Sequence, residues 1–395
     1  MLTHRNVPVY ACTCACICTC TCTCVSVLHA LEKDMSINIV LHVHLCSVVQ
    51  LTWKKLFKLS SRDHGTLGHF CSLLRRLPAA KKPKDEMNAC VDILLTVLKG
   101  HYIAAACSIL GISASDEIPK NLPNLSTRES KMKFIAELSR QVVEQWSINS
   151  DAILRKPLTP TKDGVYEYAR LFCHYASLAF LLKSSWEYGN GEILCKNWKV
   201  FLMHFYHDRR TKYAWEALRL QFQLANLPPS LSLQVKWGRF VNTHGGAGHN
   251  IPCDLHNEHL NGLFKDIIHS MGSNLTEHSM RRAARSVTSL CKIREAFDTE
   301  SNVPVMTSAH CTKDDHDDVT KVVEVLLKNE VLVVKVGRKH SQFNDININP
   351  FIGLNYKSMF EWIEKKKTEV LKLKIACGEG DLSGSDSESS TEDDA

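Results

Sequence analysis

The chain has 395 residues, 44% of them hydrophobic and 23% charged, with a formal net charge of +6. That is an ordinary globular balance with enough apolar material for two or three domains of roughly 150 residues each. No run approaches the roughly 18 consecutive apolar residues of a membrane-spanning helix, so no membrane contact is expected. The mild positive charge permits a polyanion without requiring one.

Residues 1–62 form a first segment, rich in Cys and Thr. Seven of the 17 cysteines stand at every second position from Cys12 to Cys24. Zinc ligands come in C-x2-C or C-x4-C pairs, because the backbone must wrap round a tetrahedral ion. The alternating run therefore reads as low complexity. The other cysteines are scattered singly, which suits small buried hydrophobes in a reducing, intracellular setting. Ile37 to Trp53 alternates loosely and is compatible with a strand.

A helical region is expected over 63–230. Leu67, Phe70, Leu73, Leu74 and Leu77 have helical spacing, and Pro78 closes that run. Met87 to Ile112 is apolar around much of its circumference, which predicts a buried helix with Gly111 as its stop. Ser126 and Glu129 have capping-box spacing ahead of a helix that turns Phe134, Ile135, Leu138, Val142, Val143 and Trp146 inward. Further helices are predicted over 166–183, 192–206 and 210–225, the last ended by Pro228-Pro229.

The third region, 231–300, opens on NTHGGAGHNIPCDLHNEHLN, Asn242 to Asn261. Gly245, Gly246 and Gly248 enforce a loop, and Pro252 and Asp254 suit the first turn of a helix running to about Met271. On that helix Asp254, Glu258 and Asn261 share a face. Paired carboxylates there could hold Mg2+, with Glu258 as one acid of a two-metal nuclease. His256 and His259 share a neighbouring face. With His244, His249 and Cys253 they could hold zinc, although their order matches no standard zinc motif. The glycine loop could cradle a phosphate, although no Lys-Ser/Thr follows it. The plainer reading is that the glycines turn the chain while Asn242, His244, Asn250 and Asn261 brace buried helices. A second helix, Glu277 to Phe297, carries Arg281, Arg282, Arg285 and Lys292 as a basic stripe that could contact DNA phosphates or simply face water.

The fourth region, 301–376, reads as a linker, a helix over 314–328, a strand at Val331–Val336 and a Lys-rich amphipathic helix over 355–376. Residues 377–395 bear only acidic charges and should be disordered. Ser383, Ser385 and their neighbours there resemble sites for acidophilic kinases. The fold expected is mainly α, a helical body with one small strand element.

Three stretches resemble the eukaryotic domain of unknown function family 6589. They are RTKYAWEALRLQFQL at 210–224, WGRFVNTHGGAGHNIPCDLHNEHLNGLFKDII at 237–268 and GRKHSQF at 337–343. DHGTLGHFCSLLRRL at 63–77 and MNACVDILLTVLKGHYIAAA at 87–106 look like earlier parts of the same domain. The resemblance implies kinship with transposon-encoded proteins and a nuclear setting. By analogy it also implies the remnant of a ribonuclease-H-like domain with a helical insertion, in which Glu258 stands where a last catalytic acid, with Mg2+, would sit. Ahead of the helical part the family pattern carries acidic motifs similar to GDQLT. Here that place holds the Cys-Thr repeat, with Asp34 and Asp63 the only aspartates before Asp85. The expectation is therefore a chain truncated on its amino-terminal side and without catalytic activity.

Overall fold

The computed structural model describes residues 41–379, apart from 84, 115, 121, 147, 149–159, 244, 302–314 and 344–345. The Cys-Thr repeat, His244, most of the 301–314 linker and the acidic tail beyond Glu379 lie outside the described residues. The chain divides into two compact units. One comprises His44–Ile251 with Glu300–Ala395, the other Met1–Val43 with Pro252–Thr299.

In the larger unit the helices are α1 (Leu41–Leu56, which begins just outside it), α2 (Leu67–Leu73), α3 (Leu77–Ala80), α4 (Met87–Leu110), α5 (Arg128–Trp146), α6 (Gly164–Glu187), α7 (Gly191–His207), α8 (Thr211–Asn226), α9 (Pro229–Trp237), α12 (His316–Lys328) and α13 (Tyr356–Glu379). The smaller unit contains α10 (Cys253–Met271) and α11 (Glu277–Glu300). The one sheet among the described residues pairs β1 (Phe240–Val241) with β2 (Ile251–Pro252). The protein is mainly α.

Helix α4 is the centre of the larger unit and packs on α12, α6 and α5. Its close approach to α12 depends on Gly100, where a Cβ would lie 2.3 Å from Val322 Cγ1. Gly111 ends α4 with φ +66°, the left-handed cap expected of it; its own N–H donates to Ser108 O and that of Ile112 to Cys107 O. Among the described residues α4 is the one helix long and apolar enough to cross a membrane by length and composition, and 56% of that window is buried inside the protein. Helix α6 also lines the core, burying Tyr168, Phe172, His174 and Tyr175 among others.

Three local expectations are corrected. Residues 41–56 are helical, not a strand. Leu45, Val48, Val49, Thr52, Trp53 and Leu56 are buried at spacings of three and four, and that period outweighs their β-branching. Val331–Val336 is a run of turns and not a strand. Its amides are satisfied elsewhere: Val331 N donates to Leu326 O, Val333 N to Glu330 O, and Lys335 N to the carboxylate of Asp163. The start of α5 is held by Thr127 rather than Ser126, since Thr127 Oγ1 accepts from Ser130 N at 3.1 Å. Of the residues expected inward on α5, Val142 and Trp146 are buried, while Ile135 and Val143 are exposed.

Candidate functional site

The signature stretch opens as a short hairpin whose base is β1 paired with β2. Gly245, Gly246 and Gly248 have φ of +75°, +80° and +82°, which explains three glycines in that turn. Asn242 Nδ2 donates to Gly246 O at 2.8 Å and closes the loop from within. At its far end the amide nitrogen and Nδ2 of Asn250 both donate to Glu187 O, at 3.2 and 2.8 Å. Glu187 ends α6, where carbonyls lack a helical partner, so Asn250 caps α6 from a distant part of the chain. Gly189 makes room for this with φ +65°, and a Cβ there would approach Asn250 Nδ2 to 3.2 Å. The amino-terminal half of the signature is thus a brace on the α6–α7 joint.

A direct expectation follows from that geometry. Asn250→Ala removes one part-buried side-chain hydrogen bond and should cost about 1 kcal/mol. Asn250→Asp faces a carboxylate with a carbonyl and should cost more than the alanine change. Urea unfolding checks the order, and equal midpoints for the two variants would refute the cap.

The second half of the signature lies on α10. Asp254, Glu258 and Asn261 do share a face, with Asp254 half-buried and the other two exposed. Asp254 stands in the first turn, where the helix dipole favours a negative charge. His256 is half-buried and His259 exposed, and α10 buries no residue fully. Among the described residues no group of three His, Cys, Asp or Glu side chains gathers as a metal site.

Helix α11 carries the basic stripe. Arg281, Arg282, Arg285 and Lys292 are all exposed, and no carboxylate interrupts the sequence between Glu277 and Glu295. At about 100° per residue, Arg285 and Lys292 lie within about 40° of Arg281, whereas the buried Ala283 and Val287 lie about 200–240° round. The cations therefore point away from the packed side. Arg281 also pairs with Glu277 at 2.6 Å, an exposed contact of small energetic weight.

The densest polar cluster in the larger unit joins motifs to which the sequence assigned no role. Asp163 caps α6 by accepting from Val165 N and Tyr166 N at 3.1 and 3.2 Å. Its carboxylate, fully buried, also takes Lys335 N at 2.6 Å, Arg338 Nε at 3.1–3.2 Å and an Arg338 terminal nitrogen at 2.6 Å. The guanidinium spends its remaining donors on the carbonyls of Asn329, Glu330 and Val333. One step away, Asp63 accepts from Ser341 N and Oγ, both at 2.7 Å. His340 stacks edge-on against Tyr168 with ring centres 5.2 Å apart, and Tyr168 Oη donates to Leu56 O and accepts from Leu67 N. Burial lowers the His340 pKa in spite of Asp63 and Asp163 nearby. DHG at 63–65 and GRKHSQF at 337–343 thus meet round the start of α6. The backbone, guanidinium and hydroxyl donors named are satisfied inside the protein, while His340 Nε2 is buried without a hydrogen-bond partner, and the arrangement is that of a weld between distant segments.

A second buried cluster sits deeper. His174 Nε2 and His204 Nε2 approach to 3.0 Å, with Tyr175 and Phe351 packed against His204. Burial lowers the pKa of His174 to about 4 and that of His204 well below its ordinary value.

The family model described as "Family of unknown function (DUF6589)" matches residues 35–310. Searches of curated proteins and of solved structures return no match.

Proposed function

The chain belongs to the DUF6589 family, and from that premise we propose that it is a transposon-derived protein that binds nucleic acid through the basic face of α11 without itself catalysing a reaction. The observation that carries this reading is the placement of Arg281, Arg285 and Lys292 in one exposed line, with Arg282 beside it, opposite the packed side of the helix. A helix face of this kind offers point charges to a phosphate backbone and no constellation that selects a sequence. The binding it supports is electrostatic and driven by counterion release. The reading without catalysis rests on what the family resemblance implies, since the Cys-Thr repeat stands where the acidic motifs of the family pattern are expected. The compartment this reading requires is the nucleus.

The test is fluorescence anisotropy of the full chain with labelled duplex DNA across about 50–200 mM salt. Three phosphate contacts predict a slope of log K against log salt of about −2.7. Changing Arg281, Arg285 and Lys292 together to glutamine should flatten that slope and weaken binding at least tenfold. Absence of affinity at low salt, or an unchanged slope in the triple variant, sinks the proposal in favour of a helical interaction scaffold. Mg2+-dependent cleavage that is lost in Glu258→Gln would instead establish the nuclease reading.

A further inference from the structure

Helix α11 has a third face. Leu290, Ile293 and Phe297 stand 45%, 65% and 64% exposed, and at about 100° per residue they lie within about 60° of one another. Scattered exposed apolar residues need no explanation, but three at spacings of three and four on one helix form a packing stripe. This stripe continues the line of Ala283 and Val287, which are buried. The amino-terminal half of the line is therefore already in use as a packing surface, and the carboxy-terminal half is uncovered.

The charges flanking the uncovered half indicate its occupant. Arg294 and Asp298 lie on the same flank of the stripe and contact each other weakly within the helix at 3.8 Å. When two copies of one helix pack antiparallel about a twofold axis, each flank faces its own kind. Centring the pair on residue 296 sets Arg294 of each copy beside Asp298 of the other, twice. The same centring drops Phe297 between Ile293 and Phe297 of the second copy, as a knob into a hole. The surface is thus complementary to itself in both charge and shape.

We propose that α11 is a self-association helix through which two copies of this chain pair antiparallel along Ile293 and Phe297, with reciprocal Arg294–Asp298 ion pairs fixing the register. The basic line at Arg281, Arg285 and Lys292 lies about 80–180° round the helix from this stripe, so pairing leaves it open. The inference does not depend on the nucleic-acid reading, because its test contains no nucleic acid.

The experiment is sedimentation of the full chain over a hundredfold range of concentration up to about 100 µM, an ordinary span for weak pairs. The mass should rise from 44.6 kDa towards twice that value. A monomer throughout overturns the proposal. Ile293→Glu and Phe297→Glu alter exposed side chains, so folding should survive and far-ultraviolet circular dichroism will verify it. Each should abolish the dimer, and a dimer that persists in both overturns the assignment. Arg294→Glu and Asp298→Arg should each weaken pairing about tenfold. Mixing the Arg294→Glu chain with the Asp298→Arg chain should restore it, because only between chains do opposite charges then meet. A mixture no better than either variant alone overturns the antiparallel register.

Discussion

Replacing Asp163 with alanine should lower the stability of the larger unit by about 3–5 kcal/mol, the range seen when one partner of a buried ion pair is removed. The carboxylate is fully buried, whereas Arg338 keeps 23% of its side chain exposed. Water can partly recover the guanidinium, which places the ionic share near the lower bound. The cap on α6 adds about 1 kcal/mol, since Val165 N and Tyr166 N lose their acceptor. Lys335 N loses its partner as well, and with it the turn that holds residues 331–336. Asp163→Asn keeps an oxygen for the cap and gives up the charge, so it should cost less than alanine. Arg338→Met alone should also destabilise, and the double variant Asp163→Asn with Arg338→Met should cost less than the sum of the two. The measurement is a set of urea unfolding curves for the four variants and the parent. Strict additivity, or an Asp163→Ala protein within about 1 kcal/mol of the parent, would show that the weld carries little.

That expectation concerns a contact no local pattern could disclose. Asp63 and Ser341 are 278 positions apart, and Asp163 and Arg338 are 175. Periodicity reports which face of a helix is apolar, and it located α4, α6, α7 and α8 to within a few residues. Gly111 was readable as a stop because a left-handed residue at that place needs glycine. Pro229 proved to be the first residue of α9 rather than only the end of the helix before it, a place where its missing N–H costs nothing. Long-range polar partners leave no such trace. The error at Val331–Val336 has the same origin, because a run of valines has strand propensity but needs a neighbouring strand. Here Asp163 and the adjoining turns take up the amides. At the signature, the glycines were legible as a loop. The identity of what Asn250 caps was not, since Glu187 lies 63 residues upstream. The basic line on α11 could be drawn from sequence alone. Only the burial of Ala283 and Val287 shows which way it faces.

Acidification should unfold the larger unit well above the pH at which its carboxylates titrate, because its core holds neutral histidines. His174 and His204 share one hydrogen bond between their Nε2 atoms, so one ring must donate and the other accept. A hydrogen bond to the backbone of Ile148 favours protonation of His174, which assigns its other nitrogen as a donor to that carbonyl. Neutral His174 must then accept at Nε2, and His204 must donate from its own Nε2. That leaves His204 Nδ1 bare, buried and without an acceptor nearby. A further proton on His204 would meet no partner, and one on His174 would collide with the existing donor. Burial is the larger cause in both, and Lys55 and His207 add repulsion at His204. His101, on α4, is likewise lowered to about 4 by burial, although it bonds Val97 O. The sign is fixed by these depressed values. The unfolded chain takes up protons as pH falls below about 6.5, whereas the folded chain resists until about 4, so stability is full above pH 6.5 and is lost between those limits. By pH 5 His101 and His174 together should have cost roughly 4 kcal/mol, and His204 deepens the loss. His69, His207 and His340, lowered by partial burial, act in the same direction. Against a typical domain stability of about 5–15 kcal/mol, that is enough to shift unfolding into the range of pH 5. Urea unfolding measured from pH 7.5 to pH 4.5 should show a slope near pH 5 equivalent to two or more protons taken up. His101→Leu and His174→Leu should each reduce that slope by about one proton, whatever they cost at neutral pH. A profile that stays flat down to pH 4.5 would mean that these histidines reach water in the folded protein.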